Sequence, residues 1–290
     1  MCIGEGFNTE FLGEEHLIDL PRLVGKTAEE TLNSGQVFNF THFSLVMNKR
    51  RKFLIYGANN VDKNLMKDIR RTDRWHFAPC IGEENQVGNE LYRNNPWDRG
   101  HMVRRRDVCW GSVEEAKKGN DDSFCWGNIV LQHCEINQGI WNDIEEWILE
   151  HDDNPSKKIS IFTGPIFTEN DRKYCGENGN LGCGIQIPAG FWKSMFFIDS
   201  KKKLRSVAFL VKQDEFWFDN QGRRFKPLES YQVPLNTVSQ LTGLEFNDLL
   251  YKTNPLFFRP NSLTESAEIN TPEYHIIRNF DDLILDRDLT

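Results

Sequence analysis

One histidine of this 290-residue chain sits where acid–base chemistry is plausible on residue types alone. His101 ends WDRGH, which runs on into MVRRRD; WGNIVLQ (residues 126–132) and INQGIWNDIE (residues 136–145) follow. Hydrolysing a phosphodiester needs an activated water, positive charge for the phosphoryl oxygens and help for the leaving oxygen. His101 can be the base. Asn137 offers an oxygen to a hard divalent cation such as Mg2+, which keeps most of its waters and needs few protein ligands. Several arginines can pair with non-bridging oxygens. Glu145 lies eight positions after Asn137, about 80° and about 12 Å away on a continuous helix. The two cannot grip one small ion together, so Glu145 is expected to orient a water held by the ion.

The elements that must position these groups read as follows. Residues 43–56 carry FSLVM and FLIY around a polar turn, two β-prone strands. Residues 59–97 are rich in polar and turn residues and read as a long loop, often functional. His101 is expected at a strand end, a short helix at 114–118, and a short strand at 127–131. Residues 137–151 have apolar residues at helical spacing (Ile140, Trp141, Ile144, Trp147, Ile148). Residues 158–162 read as a buried strand, and 191–198 with 204–211 as a pair around a charged turn. A helix is expected at 234–242 with Asn236 as N-cap, and another short one near 27–33. The sum is an α+β fold with a central antiparallel sheet and flanking helices. The expected layout is an N-terminal arm (1–40), the main domain (41–255) and an acidic C-terminal extension (256–290).

Composition permits a large core, at 39% hydrophobic and 12% aromatic residues. A net charge of -8 argues by itself against nucleic acid, yet a basic groove can sit on an acidic body. Lys and Arg are clustered, in KRRK (49–52), in the four arginines of 99–106 and in KKKLR (201–205). Any such run is more often a solvated surface. Seven cysteines, none in a CxxC pair, make a zinc site unexpected. Cys175 and Cys183 could lie close together, but reduced thiols are the simpler reading. The first residues lack a signal-peptide pattern, and no run is long enough to span a membrane. An intracellular, cytoplasmic protein that makes no membrane contact is expected.

WDRGHMVRR, GNIVLQ and NQGIWNDIE together resemble the DNA/RNA non-specific endonuclease family of the ββα-metal (His-Me finger) superfamily. That family includes secreted bacterial sugar-nonspecific nucleases and mitochondrial endonuclease G. The likeness continues in FTHFSLVMNKRRKFLIYGANN, RRTDRW, IFTGPIF, IPAGFWKSM and VPLNTVSQLTGLEF, covering roughly residues 6–250. It implies a ββα-metal finger and an Mg2+-dependent endonuclease, with Mn2+ as a substitute, acting on DNA, RNA or both through their backbone. His101 would then deprotonate the attacking water. Asn137 would be the direct protein ligand of the ion, and Glu145 would hold one of its waters. Arg99 would contact phosphate or support the site. Arg74 would stabilise the transition state, with Arg71 as its rival. Arg104 and Asn128 join the substrate-binding set, Asn128 as the residue that steadies the finger, and Gln132 matches a family glutamine. Two departures stand out. Leu131 replaces the proline that usually precedes that glutamine, and Ala78 stands before Pro79 where the family often has Asp.

Bland readings compete at most of these positions. His16, His42, His76, His133, His151 and His275 are expected to be structural. Asn137 could be a helix N-cap, Glu145 a solvated helix residue, and Asp98 a loop support. Trp110, Trp126 and Trp141 are expected in the core. The alternative function is a catalytically silent nucleic-acid-binding module, against which the intact His101, Asn137 and Glu145 set argues. A third possibility is a regulated effector, since an intracellular nuclease needs an inhibitor, a trigger or an activating partner. The resemblance also implies a homodimer or larger assembly. The acidic stretch 281–288 (DDLILDRD) could act as an internal phosphate mimic in the arginine-rich groove.

Overall fold

The computed structural model describes residues 4–150, 153–176, 184–213, 226–256 and 274–285. Its elements in chain order are β1 (Arg22–Leu23), α1 (Gly25–Glu29), β2 (Val37–Asn39), β3 (Phe43–Met47), β4 (Leu54–Asp62), β5 (Trp97–His101), α2 (Val113–Ser123), β6 (Ile129–His133), α3 (Trp141–Glu150) and β7 (Lys158–Ile166). Then come β8 (Lys173–Tyr174), β9 (Ile185–Gln186), β10 (Gly190–Ile198), β11 (Leu204–Lys212), β12 (Ser230–Val233), α4 (Leu235–Thr242), β13 (Leu244–Glu245), α5 (Asp248–Lys252) and β14 (His275–Ile277). Eight strands form one antiparallel sheet in the order β14-β12-β11-β10-β7-β4-β3-β2. The α+β class with a central antiparallel sheet is therefore the one observed.

The sheet is buried on both faces because apolar residues occupy both phases of its two-residue period. On β10, Phe191, Met195 and Phe197 join one core and Trp192 and Phe196 the other. On β11, Val207, Phe209 and Val211 alternate in the same way with Ala208 and Leu210. Helices α4 and α5 cover the second core through Leu235, Val238 and Leu250. The first core lies under α3 and the β5–β6 hairpin, through Ile144, Ile148, Ile129 and Leu131. The site is therefore built on one face of the sheet, and the other face serves only as foundation.

Several expectations need correction. The strand β4 runs to Asp62, into the expected loop, because Asn60 satisfies its amide inside the sheet by donating to Ser160 Oγ at 3.0 Å. Residues 63–96 do form the long connection, with two short 3-10 turns. The expected helix at 137–151 is regular only as α3; a π-turn, Ile136–Ile140, precedes it, and Gly139 there leaves helical geometry (φ -107°, ψ -110°). His151 lies outside the described residues. Asn236 is not the N-cap of α4; Pro234 holds that position without a side-chain bond. Helix α2 is longer than expected, and its start is sealed by a capping box between Ser112 and Glu115.

The arm and the extension both contribute to the sheet. Its edge strands β2 and β14 come from residues 37–39 and 275–277, and β1 pairs with β13. Cys80 and Cys175 are each disulfide-bonded, which corrects the expectation of reduced thiols; Cys183 lies outside the described residues. Cys109, Cys125 and Cys134 are free. No described helix is long and apolar enough to cross a membrane.

Candidate active site

The pair of strands that carries His101 starts from sequence-local constraints. Strands β5 and β6 pair antiparallel with Gly100 opposite Val130 and His101 opposite Ile129. A Cβ on Gly100 would meet Gln132 Oε1 at 2.5 Å, so the glycine of DRGH lets the two strands close. Asn128 fixes the chain just after His101. Its Oδ1 accepts from Val103 N at 2.9 Å, and its Nδ2 donates to Val103 O at 2.9 Å and to Ser123 O at 3.1 Å. Asn128 is fully buried. This speaks against its assignment to substrate binding: a side chain with no exposure and three internal bonds braces the β5–β6 pair.

His101 ends β5 under an aromatic cover. Its ring lies 5.4 Å from Trp75 and 5.4 Å, edge-on, from Phe124. The residue as a whole is half-buried, but Nε2 is inaccessible and has no hydrogen-bond partner among the described residues. Burial, then the charges of Arg71 and Arg105, pull its pKa down to about 3. At neutral pH the ring is therefore uncharged, with an Nε2 that no described group engages.

Two arginines lie over the Trp75 ring. Arg71 lies 5.9 Å from the Trp75 ring and 5.1 Å from Phe124; Arg99 lies 5.4 Å from Trp75 and 5.9 Å from Tyr92. Trp75 itself stacks on Trp126, and Trp126 on Tyr92. Arg99 is steadied by Asn89 Oδ1 and Arg71 by Asp73 Oδ1 at 2.7 Å. Arg74 points elsewhere: its side chain is 76% exposed and stands 3.9 Å from Asp121. Of the two rivals, the structure sets Arg71 beside His101.

Asn137 sits on the π-turn, tied back to β5. Its Nδ2 donates to Asp98 Oδ2 at 2.9 Å, and Gln138 Nε2 donates to the same oxygen at 2.8 Å. Asp98 thus supports Asn137, and the bond leaves the amide oxygen as the donor available to a cation. An amide oxygen backed by a carboxylate suits a hard divalent ion.

Glu145 is buried in an ion-pair network one step further in. Oε1 accepts from Lys193 Nζ at 2.7 Å, and Oε2 faces Arg104 Nε at 3.1 Å. Arg104 also binds Glu146, which Arg106 reaches at 3.2 Å. Arg104 is 8% exposed, which corrects its place in the phosphate groove: its charge is spent on Glu145 and Glu146. Asp107 completes the cluster, pushed up to about 6 by burial against the pull of Arg104 and Lys193. Lys193 escaped the sequence reading. Its signal was a lone lysine inside the apolar run GFWKSMFFI, buried to 1% and seated 4.7 Å from the Trp141 ring. Trp75 and Phe124 also escaped it, since aromatics without a partner motif read as core.

Other expectations resolve simply. Trp126 and Trp141 are buried, and Trp110 donates to Asn60 O. Arg50 and Arg51 of the KRRK run turn to Glu30. Asp282 in the acidic stretch accepts from the backbone of Arg278 and Asn279, and Ile284 bonds Gln232. Residues 286–290 lie outside the described residues.

The chain is similar to several known proteins. An uncharacterized protein of Sinorhizobium fredii, y4fB, is 34% identical over 268 residues, 84% of this chain and 39% of that protein. Mitochondrial nuclease EXOG of Homo sapiens is 27% identical over 226 residues, 75% of this chain and 58% of EXOG. The chain therefore spans less than two thirds of either relative. Mitochondrial nuclease 1 of Schizosaccharomyces pombe is 23% identical over 80% of this chain and 70% of its own length. A crystal structure of an EndoG/EndoGI complex, described as showing the mechanism of EndoG inhibition, shares the fold: TM-score 0.54 at 18% identity, covering 74% of this chain and 86% of that one. A sequence model of the DNA/RNA non-specific endonuclease family matches residues 24–253, from the start of α1 through α5 and across every group around His101, and this chain belongs to that family.

Proposed function

We propose that this protein is an endonuclease that hydrolyses internal phosphodiester bonds of DNA, RNA or both with His101 as its base. The observation that carries the reading is the unpartnered Nε2 of His101, whose ring packs on Trp75, the aromatic that Arg71 and Arg99 also overlie. In the reaction, Nε2 accepts a proton from water, the water oxygen attacks phosphorus, and the opposite P–O bond breaks. Arg71 and Arg99 pair with the non-bridging oxygens. A phosphate on Arg71 also cancels one of the charges that depress His101, so substrate strengthens its own base.

The finger residues fit Mg2+, or Mn2+ in its place. Asn137 Oδ1 would hold the ion, and Glu145, oriented by Lys193 and Arg104, would hold a water of its hydration shell. When bound, the ion supplies charge neutralisation at phosphate and help for the leaving oxygen. Arg74 is a peripheral phosphate contact in this reading. Activity as a homodimer and restraint by a protein inhibitor belong to the same proposal; the inhibitor complex of the EndoG neighbour supports the second.

The test is cleavage of plasmid and of RNA by the purified chain with Mg2+, with EDTA, and with His101→Ala. Cutting by the wild type, its loss in EDTA and a fall of at least about 100-fold in the variant are expected. A variant that cuts as fast as wild type would remove His101 from the mechanism.

A further inference from the structure

A cavity of about 570 Å³ opens beside the site, between residues 67–74 and helix α2. Lys67, Arg70, Arg74 and Lys117 line it, against Asp68 and Asp121, with Thr72 and Asn120 in its wall. Arg74 stands near Asp121. Lys67, Arg70 and Lys117 are exposed and make no ion pair among the described residues. Four cations against two carboxylates leave the cavity with an excess of positive charge, which an anionic ligand neutralises.

The wall is built rather than incidental. Arg105 Nη1 donates to Ile69 O at 2.9 Å and to Asn120 Oδ1 at 3.2 Å. Asn120 Nδ2 donates to Thr72 Oγ1 at 3.1 Å, and Thr72 donates to Asp121 at 2.9 Å. Lys67 N donates to Cys109 O at 2.8 Å. The segment is thus pinned to α2, and it carries two outlooks. Arg71 faces Trp75 and Phe124, and so His101, while Arg70 and Thr72 face the cavity. Because Arg70 and Arg71 are consecutive, the cavity adjoins the Arg71 side of the site.

We propose that this cavity is a backbone-phosphate subsite, formed by Lys67, Arg70 and Lys117, that holds the nucleic-acid strand beyond the cleaved bond. The proposal rests on the nuclease reading above. It supplies the sequence-independent charge that buried Arg104 cannot give, and its contacts reach the backbone rather than the bases.

The experiment measures binding of a fluorescein-labelled single-stranded 12-mer by anisotropy, over a range of salt, in full-length protein carrying His101→Ala to prevent cleavage. In that background, Lys67→Ala/Arg70→Ala/Lys117→Ala should weaken binding about 10-fold or more. The slope of log affinity against log salt should fall by about 2, at roughly 0.7 per phosphate on a single strand. The charge-preserving set Lys67→Arg/Arg70→Lys/Lys117→Arg should restore the slope. An alanine set with the parent slope and affinity overturns the subsite. Failure of the wild type to cut in Mg2+ would instead overturn the nuclease reading, and the binding result would stand apart from it.

Discussion

Acid should expose how His101 is held. Its folded pKa of about 3 lies below the value of about 6.5 that an unfolded chain gives. The folded protein therefore keeps the ring neutral while the unfolded chain takes up a proton. This group's stability contribution is whole above about pH 6.5 and is lost as pH falls from there to about 3. By linkage the loss is about 2 kcal/mol at pH 5 and approaches about 5 kcal/mol at pH 3 as an upper bound. The perturbation is His101→Asn, which cannot titrate. Urea unfolding of wild type and variant at pH 7.5, 6 and 5 isolates the effect, because the other carboxyls and histidines titrate in both proteins. The wild type should lose about 2 kcal/mol more than the variant between pH 7.5 and 5. Equal losses would refute the reasoning, for they would mean that the cover of Trp75 and Phe124 admits a protonated ring.

Three further outcomes follow from the same geometry. Lys193→Met should destabilise the fold by about 3 kcal/mol or more, since it leaves buried Glu145 short of a cation, and Lys193→Met/Glu145→Gln should recover part of the loss; denaturant midpoints would show it, and a neutral single variant would dismiss the pair. Asn128→Ala strands the Val103 N–H and two carbonyls, with an expected cost of about 2 kcal/mol, so a thermal midpoint at the wild-type value would contradict its role as the finger's brace. Asn137→Ala should raise the Mg2+ concentration needed for half-maximal cleavage with little change in melting, whereas Mn2+ located away from Asn137 in soaked crystals would discard the ligand assignment.

Much of the site was legible because its chemistry is local in sequence. WDRGH and GNIVLQ are the two strands of one hairpin, and INQGIWNDIE is the turn and helix that close it. What escaped depends on distant pairings. Glu145 was expected to hold a water of the ion, but the lysine 48 positions away that pairs with it could not be seen from its own segment. Arg104 looked like a phosphate ligand because spacing along a strand end does not reveal which side chain turns inward. The strand at residues 59–62 was masked by Asn59, Asn60 and Asp62, whose polarity mimics a loop although all three are buried. The π-turn before α3 was invisible because apolar spacing continues across it, and only the backbone at Gly139 reports the break.

The pairing of β1 with β13 has a consequence for how the chain matures during synthesis. Arg22 meets Glu245, and Thr27 bonds the carbonyl of Thr242, so the arm stays without its mate on the ribosome until residue 245 has been made. The hairpin and α3, made of residues 97–150, emerge long before that, but Lys193 arrives only with β10. A nascent chain of this layout carries His101 early and gains the Lys193 partner of Glu145 late. Vectorial translation thus imposes its own delay on the finished reaction centre, and during that interval Glu145 stands without the cation that later fixes it.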